Sequence, residues 1–567
     1  MQYVFSKKNL FLCLAFVFML ALVACSGNDT SSNEPSDTGD DSSTDEGTEV
    51  ENEPYTFTYF NGSTTLPNIN SRDTTIGAMF EEELNTTVDM EYITGDLNTR
   101  IGTMIASGQY PDVIEPNEAI DALLDAEAFI PLNDLIDEYA PDLKALYEPY
   151  LDAMTHDDGN IYYIPMGANQ GFIPPANQDQ GAFWIQREVL REFDYPEIKT
   201  LDEYFELIEA YVERHPEVDG AAPIGFTALT YDWRFFALTN VPNHLAGFPN
   251  DGGVWVDMET HEAEIYADKE ETKRYLQKLN EINSKGLFDR EAFVANYDEY
   301  LAKISSGRLL GFFDYGWQSD VAMRVHREDG NHYKEYMGLP IVFDEDITDQ
   351  YLDPPAFITN RGVGITTSAD NPERIMEFFN HIAKEETQKL VMWGIEGETY
   401  EVDEDGMFYR TPEQIEMTSD QDWRQDFGFA YFEWYWPRGD GVFSDGNAWE
   451  PRRQPSVVQE TYNETDREFL DAYGLETFTQ IFAEPQDRPW YPTWSANIEQ
   501  GSDPEIFEQR LEDIQREYYP QLVLSDPSDF EDIWEKYVER VHELDIESYE
   551  AFFTQVVKER IEQFEGE

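Results

Sequence analysis

Residues 55–114 read YTFTYFNGSTTLPNINSRDTTIGAMFEEELNTTVDMEYITGDLNTRIGTMIASGQYPDVI, and the spacing of their apolar side chains decides the fold. From Tyr55 to Phe60 threonine alternates with aromatics, the period of a strand, and Ile76, Met79, Phe80 and Leu84 then fall at helical spacing. Val88, Met90 and Tyr92 alternate again, Leu97, Ile101, Met104 and Ile105 form a second helical stripe, and Pro111-Asp112-Val113-Ile114 is a short buried-strand run. This β-α-β-α-β order predicts an α/β domain with a parallel sheet, right-handed crossovers and helices on its faces. Ligands of such sheets sit beyond the carboxyl ends of the strands, which here points to Glu115 and Asn117. A turn with a helix cap explains the same two residues equally well.

Upstream, residues 26–54 are almost wholly Ser, Thr, Asp, Glu, Gly and Asn, too polar to bury the surface that ordering requires. They predict a tether that spans roughly 30 Å as a flexible coil, and more because its like charges repel. Before it, Lys7 and Lys8 precede an apolar run from Leu10 to Ala24, shorter than the roughly 20 residues of a membrane span. Residues 1–24 therefore read as a lipoprotein signal peptide ending at Leu22-Val23-Ala24-Cys25, with small residues ahead of a cysteine that accepts diacylglycerol. Cys25 becomes the expected lipidated N-terminus, which places the protein on the outer face of the plasma membrane. Cys13, the other cysteine, lies in the segment to be removed, so thiolate catalysis, thiolate metal sites and disulfides are excluded from the folded part.

The chain carries 38 Lys and Arg against 116 Asp and Glu, a net charge of −78. That balance argues against nucleic acid and against an anionic membrane face as partners. Acid-rich surfaces suit saline or alkaline surroundings, and the charge is assigned to habitat. Downstream, Thr200 and Glu203 form a capping box ahead of Leu201, Tyr204, Phe205, Ile208 and Val212. A helix through Tyr275, Leu276, Leu279 and Ile282 stops at Gly286, and Asn371-Pro372 caps another carrying Ile375, Phe378, Phe379 and Ile382. From about Glu505 to Phe564 the pattern is amphipathic helix, with Trp534, Tyr537, Val538 and Val541 on one stripe.

The block Ile105-Ala106-Ser107-Gly108-Gln109-Tyr110-Pro111-Asp112-Val113-Ile114, followed by Phe129-Ile130-Pro131-Leu132, closely resembles a signature of extracellular solute-binding proteins in the maltose-binding-protein-like superfamily. Asp158 to Pro165, Trp184 to Arg187, Lys199 to Tyr204, Gly307 to Trp317, Asn371 to Arg374 and Gly394 to Gly397 resemble further blocks in the family's order. The resemblance implies an α/β, two-lobe periplasmic-binding-protein-like (Venus flytrap) fold with a hinge and a helical C-terminus. It places the first lobe at about 55–165 plus 356–400 and the second at about 170–355 plus 401–500, leaving the lobe of 501–567 open. It implies the binding component of an ABC importer, with an oligosaccharide ligand, permease subunits as membrane partners, a monomeric state and no cofactor. Some relatives carry a calcium loop after the helix that follows the capping box; Val218-Asp219-Gly220-Ala221-Ala222-Pro223 lacks that ligand spacing, so no structural metal is expected there.

Sugars present apolar C–H faces ringed by hydroxyls, so their sites combine aromatic platforms with a few planar polar groups. Trp317, after Asp314-Tyr315-Gly316 at a predicted strand end, is the foremost stacking candidate by resemblance, and Asp314 joins it as a candidate contact. Tyr231 and Trp233 follow Ile224-Gly225-Phe226-Thr227, where relatives place another platform. Trp184, Glu396, Trp434 and Trp436 are further candidates for which core packing is an equal explanation. The chain has no Gly-x-Ser-x-Gly elbow, no His-Glu-x-x-His and no Walker A loop, and Gly362-x-Gly364 lacks the third glycine of a dinucleotide fingerprint. With roughly one residue in five acidic, a facing pair of carboxylates carries little information. A surface glycoside hydrolase and a sugar-sensing co-receptor stay open as alternatives to a non-enzymatic binding protein.

Overall fold

The computed structural model describes residues 53–565 apart from 157, 173–175, 177, 354–356, 487 and 500, so Cys25, the signal peptide and most of the tether lie outside the described residues. The chain opens with β1 (Tyr55–Asn61), β2 (Ile69–Asn70), α1 (Thr75–Leu84), β3 (Thr86–Tyr92), α2 (Leu97–Ser107), β4 (Val113–Glu115) and, further on, β5 (Ile164–Met166). β1 pairs in parallel with both β3 and β4, as the alternation predicts. Local chemistry sets the helix ends: the Thr74 and Asp96 side chains accept from backbone N–H groups of α1 and α2, and Gly108 ends α2 at φ 62°.

The chain then crosses to a second sheet made of β6 (Gly181–Gln186), β7 (Ile224–Thr227), β8 (Leu309–Tyr315) and β9 (Tyr336–Leu339), in the order β9-β6-β8-β7. The capping box of Thr200 and Glu203 starts α3 (Leu201–Arg214), and α4 (Gly316–Glu328) follows β8 without a loop. β10 (Ile358–Ile365) returns to the first sheet, antiparallel to β4 and β5, giving the order β2-β3-β1-β4-β10-β5. The pairing of β10 with β5 slips between Ile358 and Gly362, so Thr359, Asn360 and Arg361 stand in a bulge. α5 (Pro372–Ala383) covers the first sheet, and α6 (Asp503–Leu524), α7 (Phe530–Val541) and α8 (Ile546–Glu565) end the chain.

Each sheet has its own apolar core, and together they form a two-lobe α/β fold. Phe57, Val88, Val363, Phe378 and Trp393 belong to the first core, and Phe183, Phe226, Phe312 and Leu279 to the second. One of the expected lobe assignments changes, and one left open is filled. Residues 401–457 were expected in the second lobe, yet Phe408, Phe427, Phe432, Trp436, Trp449 and Val457 bury themselves in the first core. Crossing to the second lobe comes only afterwards, where Asp466 accepts from Arg187 at 2.7 Å in a fully buried ion pair beside Phe469. The C-terminal helices, left open above, contribute Phe507, Tyr519, Trp534, Tyr537 and Val557 to the second core.

Candidate functional site

Among the described residues, four aromatics are exposed by more than a third: Tyr231, Trp233, Trp317 and Trp494. Three of them, Trp233, Trp317 and Trp494, line a single cavity of about 710 Å³ with Phe236, Tyr266 and Tyr315. Apolar surface left in water costs roughly 25 cal/mol per Å², so its concentration in one cavity marks a surface kept for a ligand. Tyr231 is exposed in the same loop as Trp233 but is not part of the lining.

Trp317 owes its position to its neighbour. A Cβ on Gly316 would lie 1.9 Å from the Gln178 carbonyl oxygen, so only glycine lets α4 begin directly against the crossing segment. The Trp317 N–H then donates to the Asp179 carbonyl at 3.3 Å. Trp233 sits on the helical turn Asp232–Phe235, with the Arg234 guanidinium 4.5 Å from its ring centroid. The rings of Trp233 and Trp317 are 6.1 Å apart and 7° from parallel, and Phe236 lies 5.9 and 6.4 Å from them at 13° and 17°. Three nearly parallel rings at these spacings cannot be one face-to-face pile; they make a stepped platform several ring widths across.

Behind the platform several polar groups are committed to one another. The Tyr266 hydroxyl donates to the Gly252 carbonyl at 2.7 Å, and Tyr315 meets His244 Nε2 at 3.0 Å. Burial holds His244 down to about 3, so that ring is neutral at ordinary pH. Asp314, expected as a ligand contact, belongs to this framework instead. It is fully buried and accepts from the Tyr300 hydroxyl, the Tyr315 N–H and Gln318 Nε2 at 2.7 to 2.8 Å, and burial pushes its carboxyl up to about 7. Its three donors fix the end of β8 from which Trp317 departs.

The opposite side of the cavity comes from the bulge of β10, which contributes Ile358 and Arg361. Arg361 is half-buried, its Nε has no partner, and among the described residues it makes no hydrogen bond or ion pair. Nothing in the sequence singled it out; its signal is structural, the slip of register against Pro165 and Met166. Glu115, at the carboxyl end of β4, is fully buried and accepts from the Asn117 N–H at 3.1 Å, so it serves the turn. Its Oε2 and the Oδ1 atoms of Asn117 and Asn360 are buried without a partner. Burial pushes Glu115 up to about 7, against the lowering effects of Ser63, the Asn117 N–H and the charge of Arg361.

The remaining candidates separate by burial. Trp184 is core: it is 3% exposed, stacks on Phe312 and donates from Nε1 to the Asp314 carbonyl at 2.9 Å. Trp436 is also core, donating to the Tyr431 carbonyl at 2.9 Å and stacking on Tyr59 at 4.5 Å. Trp434, half-buried, lies under the guanidinium groups of Arg438 and Arg452 at 4.5 and 5.6 Å. Glu396 is exposed on a turn of the first lobe and lines neither this cavity nor the next.

A second cavity of about 620 Å³ lies between the lobes at the Asp179–Arg452 ion pair of 2.9 Å. Arginines line it from both lobes, yet Arg187, Arg324, Arg327, Arg424 and Arg452 are each paired with a carboxylate. Arg410 donates to Thr418 Oγ1 and the Trp393 carbonyl. Most of the guanidinium groups of this cavity are thus neutralised by carboxylates of the protein, Asp179–Arg452 across the lobes among them. Among the described residues no group of three or more His, Cys, Asp or Glu is placed to hold a metal.

Comparison with known proteins follows the same lines. The chain is 28% identical over 271 residues to the fructooligosaccharide ABC transporter substrate-binding protein FusA of Streptococcus pneumoniae, covering 44% of this chain and 48% of that one. It is 25% identical over 366 residues to the polygalacturonan/rhamnogalacturonan-binding protein YtcQ of Bacillus subtilis, covering 61% and 66%. The matched stretches thus span about half to two thirds of these curated relatives. In fold, it is similar to the S. pneumoniae FusA structure in complex with kestose, with a TM-score of 0.63 at 19% identity over 89% of this chain and 99% of that one. A solute-binding protein of Bifidobacterium longum infantis described as HMO-binding and ABC-transporter-associated gives 0.61 at 14% identity over 90% and 99%. Residues 75–396, more than half of the chain, match the family model described as bacterial extracellular solute-binding protein, and the chain belongs to that family.

Proposed function

We propose that this protein captures an oligosaccharide outside the cell, on the platform of Trp233, Phe236 and Trp317, and delivers it to an ABC importer without altering it. The observation that carries the reading is the gathering of three exposed tryptophans in one cavity. A platform wider than one ring suits a chain of sugars, and roughly 300–1,000 Å³ is the usual size of a small-molecule site. The names of FusA and YtcQ support a saccharide ligand and, for FusA, an ABC transporter partner. In this reading lipid on Cys25 anchors the chain through its acidic tether, with two or more acyl chains because a single one binds reversibly. The protein acts as a monomer, and the lobes close about the crossing segments on a ligand that touches both. Calorimetric titration with oligosaccharides tests it, followed by analysis of the recovered sugar. Saturable binding with the sugar intact is expected; release of shorter products would favour the hydrolase alternative.

A further inference from the structure

We propose that the solute carries an oxyanion, the carboxylate or sulfate of an acidic sugar, and that Arg361 reads it. The inference rests on the oligosaccharide reading above and names the class of sugar.

Arg361 is placed by the register slip between β10 and β5. The β10 bulge turns it into the aromatic cavity, and the bulge is held from both sides. Thr359 Oγ1 donates to the Ser495 carbonyl at 3.0 Å, and the Tyr163 hydroxyl donates to the Thr359 carbonyl at 2.6 Å. A guanidinium on so fixed a segment is preorganised for a planar acceptor.

Its isolation is the second point. Acidic residues outnumber basic ones 116 to 38, so counter-ions abound. Four other arginines around the cleft have them: Arg234 with Asp232 at 2.5 Å, Arg452 with Asp179 at 2.9 Å, Arg453 with Asp440 at 3.2 Å and Arg438 with Asp440 at 3.7 Å. Arg361 has none among the described residues. Glu115, close enough to sense its charge, forms no ion pair with it, and a carboxyl held near 7 by burial supplies only part of a counter-charge.

Neutral hydroxyls would accept from Arg361 but would leave its charge uncompensated once water is expelled, which is costly. An oxyanion accepts two parallel bonds and cancels the charge. Sugar faces stacked on Trp317 and Trp233, across the same cavity, would fix which substituent reaches the guanidinium.

The test is a titration panel on the purified protein: neutral fructo-, gluco- and xylo-oligosaccharides beside uronate and sulfated oligosaccharides of matched length. Acidic members should bind, and Arg361→Gln should weaken them at least tenfold while leaving apo melting unchanged, because the side chain bonds nothing in the fold. Arg361→Lys, which keeps charge but not the fork, should fall between and stands in if the Gln variant fails to fold. Preference for neutral members, or parental affinity of Arg361→Gln for acidic ones, would overturn the inference and leave the oligosaccharide reading intact. If no saccharide binds, that reading fails and takes this one with it.

Discussion

The two walls of the cavity are incomplete in opposite ways. On the second lobe Trp233 and Trp317 are 58% and 51% exposed, apolar surface that water hydrates poorly. On the first-lobe side the β10 bulge presents the reverse: Arg361, whose buried Nε has no partner. A fold optimised for stability alone would pack the rings and pair the polar groups. A ligand with apolar faces and polar edges completes both walls at once, and only when it lies between them. Incompleteness on each side, of the kind a sugar can satisfy, distinguishes this cavity from the arginine-lined one, where five of the arginines are already paired with carboxylates.

The contrast sharpens when tryptophans from the two kinds of setting are exchanged for alanine. Trp436→Ala, in the first core, should cost about 3–5 kcal/mol of stability and lower the melting temperature with or without ligand. Gly316→Ala, which drives a Cβ onto the Gln178 carbonyl, should cost about 1–3 kcal/mol and weaken binding as well, because it shifts Trp317. Trp317→Ala should leave apo melting within about 1 kcal/mol of the parent while lowering affinity about 5- to 150-fold. A large loss of apo stability in that variant would return Trp317 to the core and break the comparison.

The smallest expected effect concerns pH. Burial raises Glu115 to about 7, so the folded chain keeps a proton that the unfolded chain releases near 4. Stability from that protonated form is fully present below the unfolded value and lost as pH rises through about 7. Glu115→Gln should therefore melt with the parent at about pH 4 and above it at about pH 8. Parallel melting curves across that range would show that Glu115 has found a partner the structure does not give it.

Much of the fold was legible because it rests on local rules. The alternation of Val88, Met90 and Tyr92, the capping box at Thr200 and the Asn371 cap all reappear at the expected residues. Lobe membership after residue 400 was not legible: short crossings carry no mark in composition, and only long-range burial assigns Phe408 or Trp449 to the first core. The site was legible in part. Trp317, the second residue of α4, and Trp233, on a single helical turn, are both exposed and line the cavity. Trp434 and Trp436 are two residues apart with different fates, because Tyr435 between them takes φ 67° and reverses the local path. Arg361 was invisible because a bulge is a relation between two strands, and no single strand records it.

The crystal structure of the protein with a saccharide that binds in the titration panel tests the central claim most directly. The account predicts sugar rings against Trp317 and Trp233, with a substituent in hydrogen-bonding distance of Arg361. Density in the arginine-lined cavity instead, with the three rings of the platform still bare, would contradict it.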